Sequence, residues 1–441
     1  MNKIEKALQS ASETRTLRVG QNILSRVPDM FMEQFPNKKA IIIADTVTFD
    51  VAGKAVSEYL CHARIAQEDP FIFNEPDLHA EIEHVERLEQ VLSQTGAIPV
   101  AVGSGTINDM TKLAAHRTSR QYLCVATAAS MDGYTAYGAS IVYRGNKQTF
   151  TCPAPQAVLA DLEIIRKAPP ELTASGYADL FAKVPAGADW ILADELGVEP
   201  VEPIAWSIVQ DGLHDALANP EGAHGGAVEP IASLVEGLML SGFAMQWSRT
   251  SRCASGADHQ FSHLWDMERH THNGKAPSHG FKVGIATLYV SALYEQFMHH
   301  PIEQLDIEDC CAHWLDWEQQ EARVREMFSG TDFLQTVLTE TQAKYISKEA
   351  LAQQLGMLKA KCTVIKTRLE KQLLPPAEVK RRLQSVGAPV EPEDIGISRD
   401  RLRNSFLRAQ HLRRRFTILD IAVRAACLDQ WLDQIFGKPD V

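Results

Sequence analysis

IPVAVGSGTIND, residues 98–109, is the stretch on which the architecture turns. Residues 98–102 are an apolar run of strand length, 103–106 a turn of small residues, and a helical pattern over 110–116 follows. Strand, tight turn and helix in that order make half of a βαβ unit. Such a turn points free backbone N–H groups beyond the strand end, assisted by the helix dipole. As a dinucleotide fingerprint it is incomplete, because Asn108 stands where GxGxxG has its third glycine. Spacing alone leaves two readings open, a phosphate cradle and an ordinary βα connection.

Outward from this unit, other strands have the same character. KAIIIAD, 39–45, is a continuous β-branched run ending in an acid, the pattern of a strand buried on both faces of a parallel sheet. Asp45 there either accepts the hydroxyls of an adenosine ribose or caps the next helix, and the strand alone does not choose. Residues 121–126 predict another strand, leading into the small, hydroxyl-rich run 127–135. Residues 15–20 alternate like a short strand. Helical spacing covers 21–35, with a kink expected at Pro28 and a stop at Pro36-Asn37, and covers 49–61 and 78–95. Alternating strands and helices predict a doubly wound, Rossmann-like α/β domain over 1–168, with its ligand loops at strand carboxyl ends.

From residue 169 strand-like runs vanish and an α-helical domain over 169–441 is expected, hinged near 168–172. Asp179 sits among apolar neighbours in a helical pattern over 177–183, a costly place for a carboxylate unless it is paired or bound to a metal. Residues 231–247 read as a helix packed inside a bundle. Further helices are expected over 305–328, 348–373, 376–385 and 399–436, the last including Arg413-Arg414-Arg415.

Five of the fifteen histidines crowd into 259–279. His259 and His263 are four apart and share a helix face. His279 opens another helical run, which can return a third imidazole to the pair. His270 and His272 lead into an Asn-Gly-Lys turn and read as polar loop residues.

The chain has 441 residues, 45% of them apolar and 23% charged, with a net charge of −12. That is globular composition, long enough for two domains, and the charge argues against a nucleic-acid groove. Eight cysteines without CxxC spacing read as reduced thiols, and Cys253 as core. With no apolar leader and no uninterrupted apolar span, a cytoplasmic protein is expected.

Taken in order, Asp45, GSGTINDMTK (103–112), TAASMDG (127–133), ADLFAK (178–183), SRCASGADHQFSH (251–263), His279-Gly280 and RRRFTIL (413–419) resemble the glycerol-1-phosphate dehydrogenases. That family lies within the wider group of iron-dependent alcohol dehydrogenases, glycerol dehydrogenases and dehydroquinate synthases. The resemblance spans most of the chain, is most specific in ASGADHQFSH, and is strongest to the bacterial type found with arabinose utilisation. It implies Asp179, His259 and His279 as ligands of one divalent ion (zinc, nickel or iron). Asp132, Asp179 and His263 would meet the substrate, with Asp132 and His263 catalytic. Asp45, Gly105, Thr106, Ile107, Asn108, Asp109, Thr127, Ala128, Ala129 and Ser130 would hold NAD or NADP. It also implies a homodimer. Asp258, Ala178 and Ala136 depart from the family pattern, where Glu, Gly and Ser are usual.

An Asp–His–His set with open positions is catalytic in type, since a closed structural zinc site uses four ligands and often thiolates. The expected reaction is metal-assisted, NAD(P)H-linked interconversion of dihydroxyacetone phosphate and sn-glycerol 1-phosphate. Lys183 and Lys282 are candidates for the phosphate, or plain surface lysines. Competing expectations are a polyol dehydrogenase, a dehydroquinate synthase-like cyclase, and a catalytically silent nucleotide-binding protein.

Overall fold

The apolar runs at 39–45 and 98–102 become β2 (Ala40–Asp45) and β4 (Ile98–Gly103), and both are covered on two faces. The structure is a computed structural model describing residues 3–143 and 146–438. These form two compact units. One holds the chain up to Leu180 with Ile204–Ser251 and Ser385–Ala388; the other holds Phe181–Pro203, Arg252–Gln384 and the chain from Pro389. The expected division at 168/169 follows the change from strands to helices. The compact units divide differently, because the helices within 204–251 belong with the sheet.

In the first unit β1 (Thr16–Gly20), β2, β3 (Phe71–Phe73), β4, β5 (Leu123–Ala126) and β8 (Ala157–Asp161) form one sheet, in the order β1-β8-β5-β4-β2-β3. All its pairings are parallel. Between β5 and β8 an antiparallel pair, β6 (Ala139–Tyr143) and β7 (Asn146–Phe150), is inserted. Side chains alternate along a strand, so Ala40, Ile42 and Ala44 share one face with Val100, Val102, Leu123, Val125 and Leu159. Val27, Met30 and Phe31 of the Val27–Gln34 helix, with Val56 and Leu60 of the Lys54–His62 helix, pack on that face. Ile41, Ile43, Ala101, Cys124 and Val158 point the other way and are equally buried. Each such Val, Ile or Leu is worth about 1.5–3 kcal/mol when fully buried.

The chain leaves β2 for β3 on one side and returns to β4 on the other. Connections therefore reverse between β2 and β4, where the carboxyl ends of the strands open a crevice.

Local rules explain several departures from expectation. Pro28 does not kink a helix; it lies in the first turn of Val27–Gln34, where its missing N–H costs nothing. The helix after β4 begins at Gly105, not 110, and runs to Arg117. In the second unit the expected 305–328 helix is two, Ile307–His313 and Trp317–Met327, because the Asp316 side chain caps the second through the Gln319 N–H. Likewise 348–373 splits into Lys348–Ala360 and Cys362–Gln372, and 399–436 into Arg399–Ala409, Ile418–Arg424 and Leu428–Phe436. The three consecutive arginines lie in the non-helical connection 410–417. The Val228–Ser248 helix is long and apolar enough by composition to cross a membrane, and 61% of its most apolar window is buried inside the protein.

Candidate active site

At the β2–β4 crevice the Asp45 carboxylate accepts the Thr48 N–H at 2.8 Å through Oδ1, while Thr48 Oγ1 accepts the Asp45 N–H. Asp45 is thus the cap of the following helix, as one of the two sequence readings had it. After β4, Ser104 caps the Gly105–Arg117 helix with extended backbone and no side-chain bond, leaving the first-turn N–H groups to whatever approaches. The side chains of Ile107 and Asn108 are fully buried. Asn108 accepts the Tyr122 hydroxyl at 3.0 Å and donates to the Gly133 carbonyl at 3.3 Å, so its side chain braces the next loop. Asp109 accepts the Ser140 N–H at 3.1 Å. Lys112, buried in the same helix, donates to the carbonyls of Gly133, Ala136 and Gly138 at 2.8–3.0 Å. Of the expected cofactor residues 105–109, Gly105 and Thr106 open the helix, while Ile107 is buried and the Asn108 and Asp109 side chains bond neighbouring loops.

Thr127–Ser130 continue this crevice. Thr127 N–H donates to the Gly103 carbonyl at 3.1 Å, the Tyr134 hydroxyl to the Ala128 carbonyl at 2.6 Å, and Ser175 Oγ to the Ser130 carbonyl at 3.2 Å. The Pro170–Phe181 helix comes so close that a Cβ on Gly176 would lie 1.9 Å from the Ala129 oxygen. One turn later that helix presents Asp179, fully buried, whose Oδ2 accepts the Asp132 N–H at 3.1 Å. The Asp132 carboxylate in turn accepts the Ser241 hydroxyl at 2.8 Å.

In the second unit, His259 and His263 lie on the Ala257–Met267 helix, with ring centroids 6.4 Å apart. Asp258, fully buried, holds Nδ1 of His259 and leaves Nε2 as the outward nitrogen. His279 is the first residue of the His279–His299 helix, capped by Ser278. Its ring stands edge-on to that of His259 at 5.3 Å, and the Ser262 hydroxyl lies 3.4 Å from its Nδ1. Arg413 Nη2 donates to His263 Nε2 at 3.1 Å, so this nitrogen is the unprotonated one of a neutral ring. Asp179, His259 and His279 offer ligand atoms that all lie within 4.8 Å of one another.

Other expectations resolve differently. Lys282 is neither a surface lysine nor an open phosphate ligand, because it is buried in an ion pair with Asp266. His270 lies in a connection, as expected, but is buried there: its Nε2 bonds the Ile395 carbonyl at 2.7 Å and its Nδ1 takes Arg401 Nη1 at 2.8 Å. Burial holds its pKa below the usual histidine value. Cys253 is core, as expected.

The family profile of the iron-containing alcohol dehydrogenases matches residues 18–169. Glycerol-1-phosphate dehydrogenase (NAD(P)+) of Halalkalibacterium halodurans is 31% identical over 293 residues, 66% of this chain and 73% of that protein. The chain belongs to the glycerol-1-phosphate dehydrogenase family. The enzyme of the same name from Geobacillus thermodenitrificans is 28% identical over 387 residues, 87% of this chain and 86% of its own length. A probable glycerol dehydrogenase from Sinorhizobium meliloti 1021 shares the fold, with a TM-score of 0.60 at 18% identity, over 96% of this chain and 99% of that one.

Within this glycerol-1-phosphate dehydrogenase frame, sequence reasoning had not seen the parts played by Lys112, Asp189, Ser241, Asp258 and Arg413. Of these only Asp258, next to a candidate ligand, carries a local signal, since a carboxylate on the far nitrogen of a ligating histidine is a recurrent arrangement. The others depend on partners distant in the chain.

Proposed function

We propose that this protein is a metal-dependent sn-glycerol-1-phosphate dehydrogenase, reducing dihydroxyacetone phosphate with NADH or NADPH. The observation that carries the reading is the meeting of one carboxylate and two imidazoles, Asp179, His259 and His279, in a chain of this family. The donor set fits a catalytic ion: it contains no thiolate, and three protein ligands leave room for substrate oxygen. The Asp258 carboxylate on Nδ1 of His259 orients the ring and raises the basicity of Nε2. Two imidazoles and a carboxylate suit zinc, nickel and iron alike. When bound, such an ion supplies Lewis acidity, polarising the ketone and stabilising the alkoxide that hydride transfer creates.

The chain's own residues do the rest. Asp132, fixed by Ser241 at its carboxylate and by Asp179 at its N–H, accepts a substrate hydroxyl. His263 orients the substrate; once Arg413 releases its Nε2, that nitrogen takes up a proton from solvent and passes it to the substrate oxygen. The first-turn N–H groups at Gly105 and Thr106, with the backbone of 127–130, receive the pyrophosphate. Asp45 meets the adenosine ribose with the oxygen its cap leaves over, which favours NADH over NADPH through repulsion of a 2′-phosphate. In this reading the enzyme is a cytoplasmic homodimer.

The test is NADH oxidation by the purified protein with dihydroxyacetone phosphate, before and after chelation, with NADPH and with unphosphorylated dihydroxyacetone alongside. Turnover of the phosphate ester that chelation abolishes and added metal restores is expected. Equal turnover with and without chelation removes the metal-dependent reading, and preference for the unphosphorylated ketone makes the protein a polyol dehydrogenase. Light scattering checks the dimer.

A further inference from the structure

Of the three consecutive arginines, two have evident structural work. Arg414 is exposed and forks onto Glu340, bonding it through Nε and Nη2 at 3.0 and 2.6 Å. Arg415 donates from Nη1 to the Ser255 carbonyl, holding the loop that precedes the His259 helix. Arg413 differs. Among the described residues its one hydrogen bond runs from Nη2 to His263 Nε2 at 3.1 Å, so most of its N–H groups have no protein acceptor.

The side chain is half-buried, and its surroundings are rich in positive charge. Burial lowers the Arg413 pKa, and Glu340, the acid that acts on it, is already engaged by the Arg414 backbone N–H and guanidinium. Arg415 is pushed down to about 9 by burial and by the nearby charges of Arg252 and Arg413. Arg252 has an acid of its own, Glu199, at 3.1 Å. In a chain of net charge −12, guanidinium groups thus gather in one desolvated neighbourhood with an excess of positive charge. A half-buried, under-paired guanidinium whose planar fork matches two oxygens is suited to a phosphate or carboxylate ligand. Of the two lysines considered for that role, Lys282 is spent on Asp266 and Lys183 is fully buried. Arg413 reaches the His263 ring, which lies 6.4 Å from the His259 ring, so the fork sits a few bonds' reach from the proposed ion.

We propose that Arg413 is the anchor for the phosphate of a phosphomonoester substrate, exchanging its bond to His263 for a bidentate one to phosphate oxygens. The inference rests on the function proposed above and names its specificity-determining residue. The exchange has a second effect: phosphate arrival frees His263 Nε2 to face the substrate oxygen. A substrate without phosphate leaves the histidine tied to Arg413.

The experiment uses the metal-loaded full chain and its Arg413→Gln and Arg413→Lys variants, with metal content and circular dichroism checked for each. KM and kcat are measured for dihydroxyacetone phosphate and for dihydroxyacetone, and inorganic phosphate binding is measured by calorimetry. Arg413→Gln should raise KM for the phosphate ester on the order of 100-fold, the usual scale for losing a charge-assisted pair. The loss should fall at least tenfold harder on that substrate than on dihydroxyacetone, inorganic phosphate should no longer bind, and Arg413→Lys should recover part of each. An unchanged KM for the phosphate ester, or equal losses on both ketones in folded, metal-replete variants, overturns the proposal. If wild type binds phosphate in an Arg413-dependent way yet reduces neither ketone, the anion site stands and the proposed reaction falls. If wild type turns over the phosphate ester and Arg413→Gln matches it, the reaction stands and the site falls.

Discussion

Asp189 and Gly256 form one joint: Asp189 Oδ2 accepts the Ala257 N–H at 2.7 Å, and a Cβ on Gly256 would lie 2.5 Å from that same oxygen. The carboxylate caps the helix that carries His259 and His263. Its other oxygen accepts the Tyr294 hydroxyl at 2.6 Å and the Ile418 N–H at 2.8 Å, tying in the His279 helix and the helix beyond the arginine loop. Gly256→Ala places the new methyl group 2.7 Å from the Ala186 Cα as well, so backbone must move. It should cost about 1–3 kcal/mol, the range for overpacking, and lower metal occupancy with it. Thermal melts and metal analysis of the variant check both.

The same residue has a pH signature. Burial pushes the Asp189 carboxyl from 3.8 up to about 7, against the pull of Tyr294 and Arg252. A carboxyl whose folded pKa is raised stabilises most below its unfolded value, and that contribution is lost as pH rises through the folded value. Asp189 therefore lowers stability between pH 3.8 and about 7, at most about 1.4 kcal/mol per pH unit. Urea unfolding at pH 5, 6 and 7 should show this slope in wild type and lose it in Asp189→Asn.

His411 acts in the opposite sense. Burial, aided by the charges of Lys344 and Arg323, lowers its pKa from 6.5 to about 3. Its neutral ring sits against Thr341 Oγ1 at 3.0 Å. The stability it supports is complete above pH 6.5 and is lost as pH falls towards 3, again at most about 1.4 kcal/mol per unit. His411→Asn should flatten this part of the acid limb, and an imidazole resonance that does not titrate down to pH 5 is the direct check by NMR.

Gly176 gives a prediction for the cofactor side. With the Ala129 oxygen 1.9 Å from where a Cβ would stand, Gly176→Ala has to push the Pro170–Phe181 helix off the 127–130 loop. A loss of about 1–3 kcal/mol and a raised NADH dissociation constant are expected. Fluorescence titration with NADH measures the second, and unchanged affinity would remove this loop from the cofactor site.

Asp258 is tested separately from the ligands. Removing a carboxylate that orients a ligating imidazole commonly costs 10–100-fold in metal affinity, so about that loss is expected for Asp258→Ala in equilibrium dialysis. The ligands themselves remain in that variant.

What was legible in the sequence follows from how local the deciding physics is. β2 and β4 are plain because a strand covered on both faces must be apolar throughout, and the paired histidines of 259–263 because four residues return to the same helix face. Asp45 was ambiguous because capping and ribose binding ask for the same residue at the same strand end. Lys112 and Asn108 look like residues of any helix surface, and only their bonds to Gly133, more than twenty residues on, reveal braces for the Asp132 loop. The burial of His270 in its loop was hidden for the same reason, its partners being Ile395 and Arg401. The arginines at 413–415 continue a helical rhythm on paper. The helix stops before them, at Ala409, and the next starts only at Ile418, where Thr417 and Asp420 form a capping box. The β6–β7 pair went unseen because two short strands that pair with each other, rather than with the main sheet, leave no long apolar run.

Metal content by mass spectrometry of the purified wild type and of Asp179→Ala, His259→Ala and His279→Ala, each paired with turnover of dihydroxyacetone phosphate, tests the central claim most directly. About one divalent ion per wild-type chain is expected, with its loss in each folded variant and loss of turnover with it. Full metal occupancy in His259→Ala, or undiminished turnover in any of the three, would contradict it.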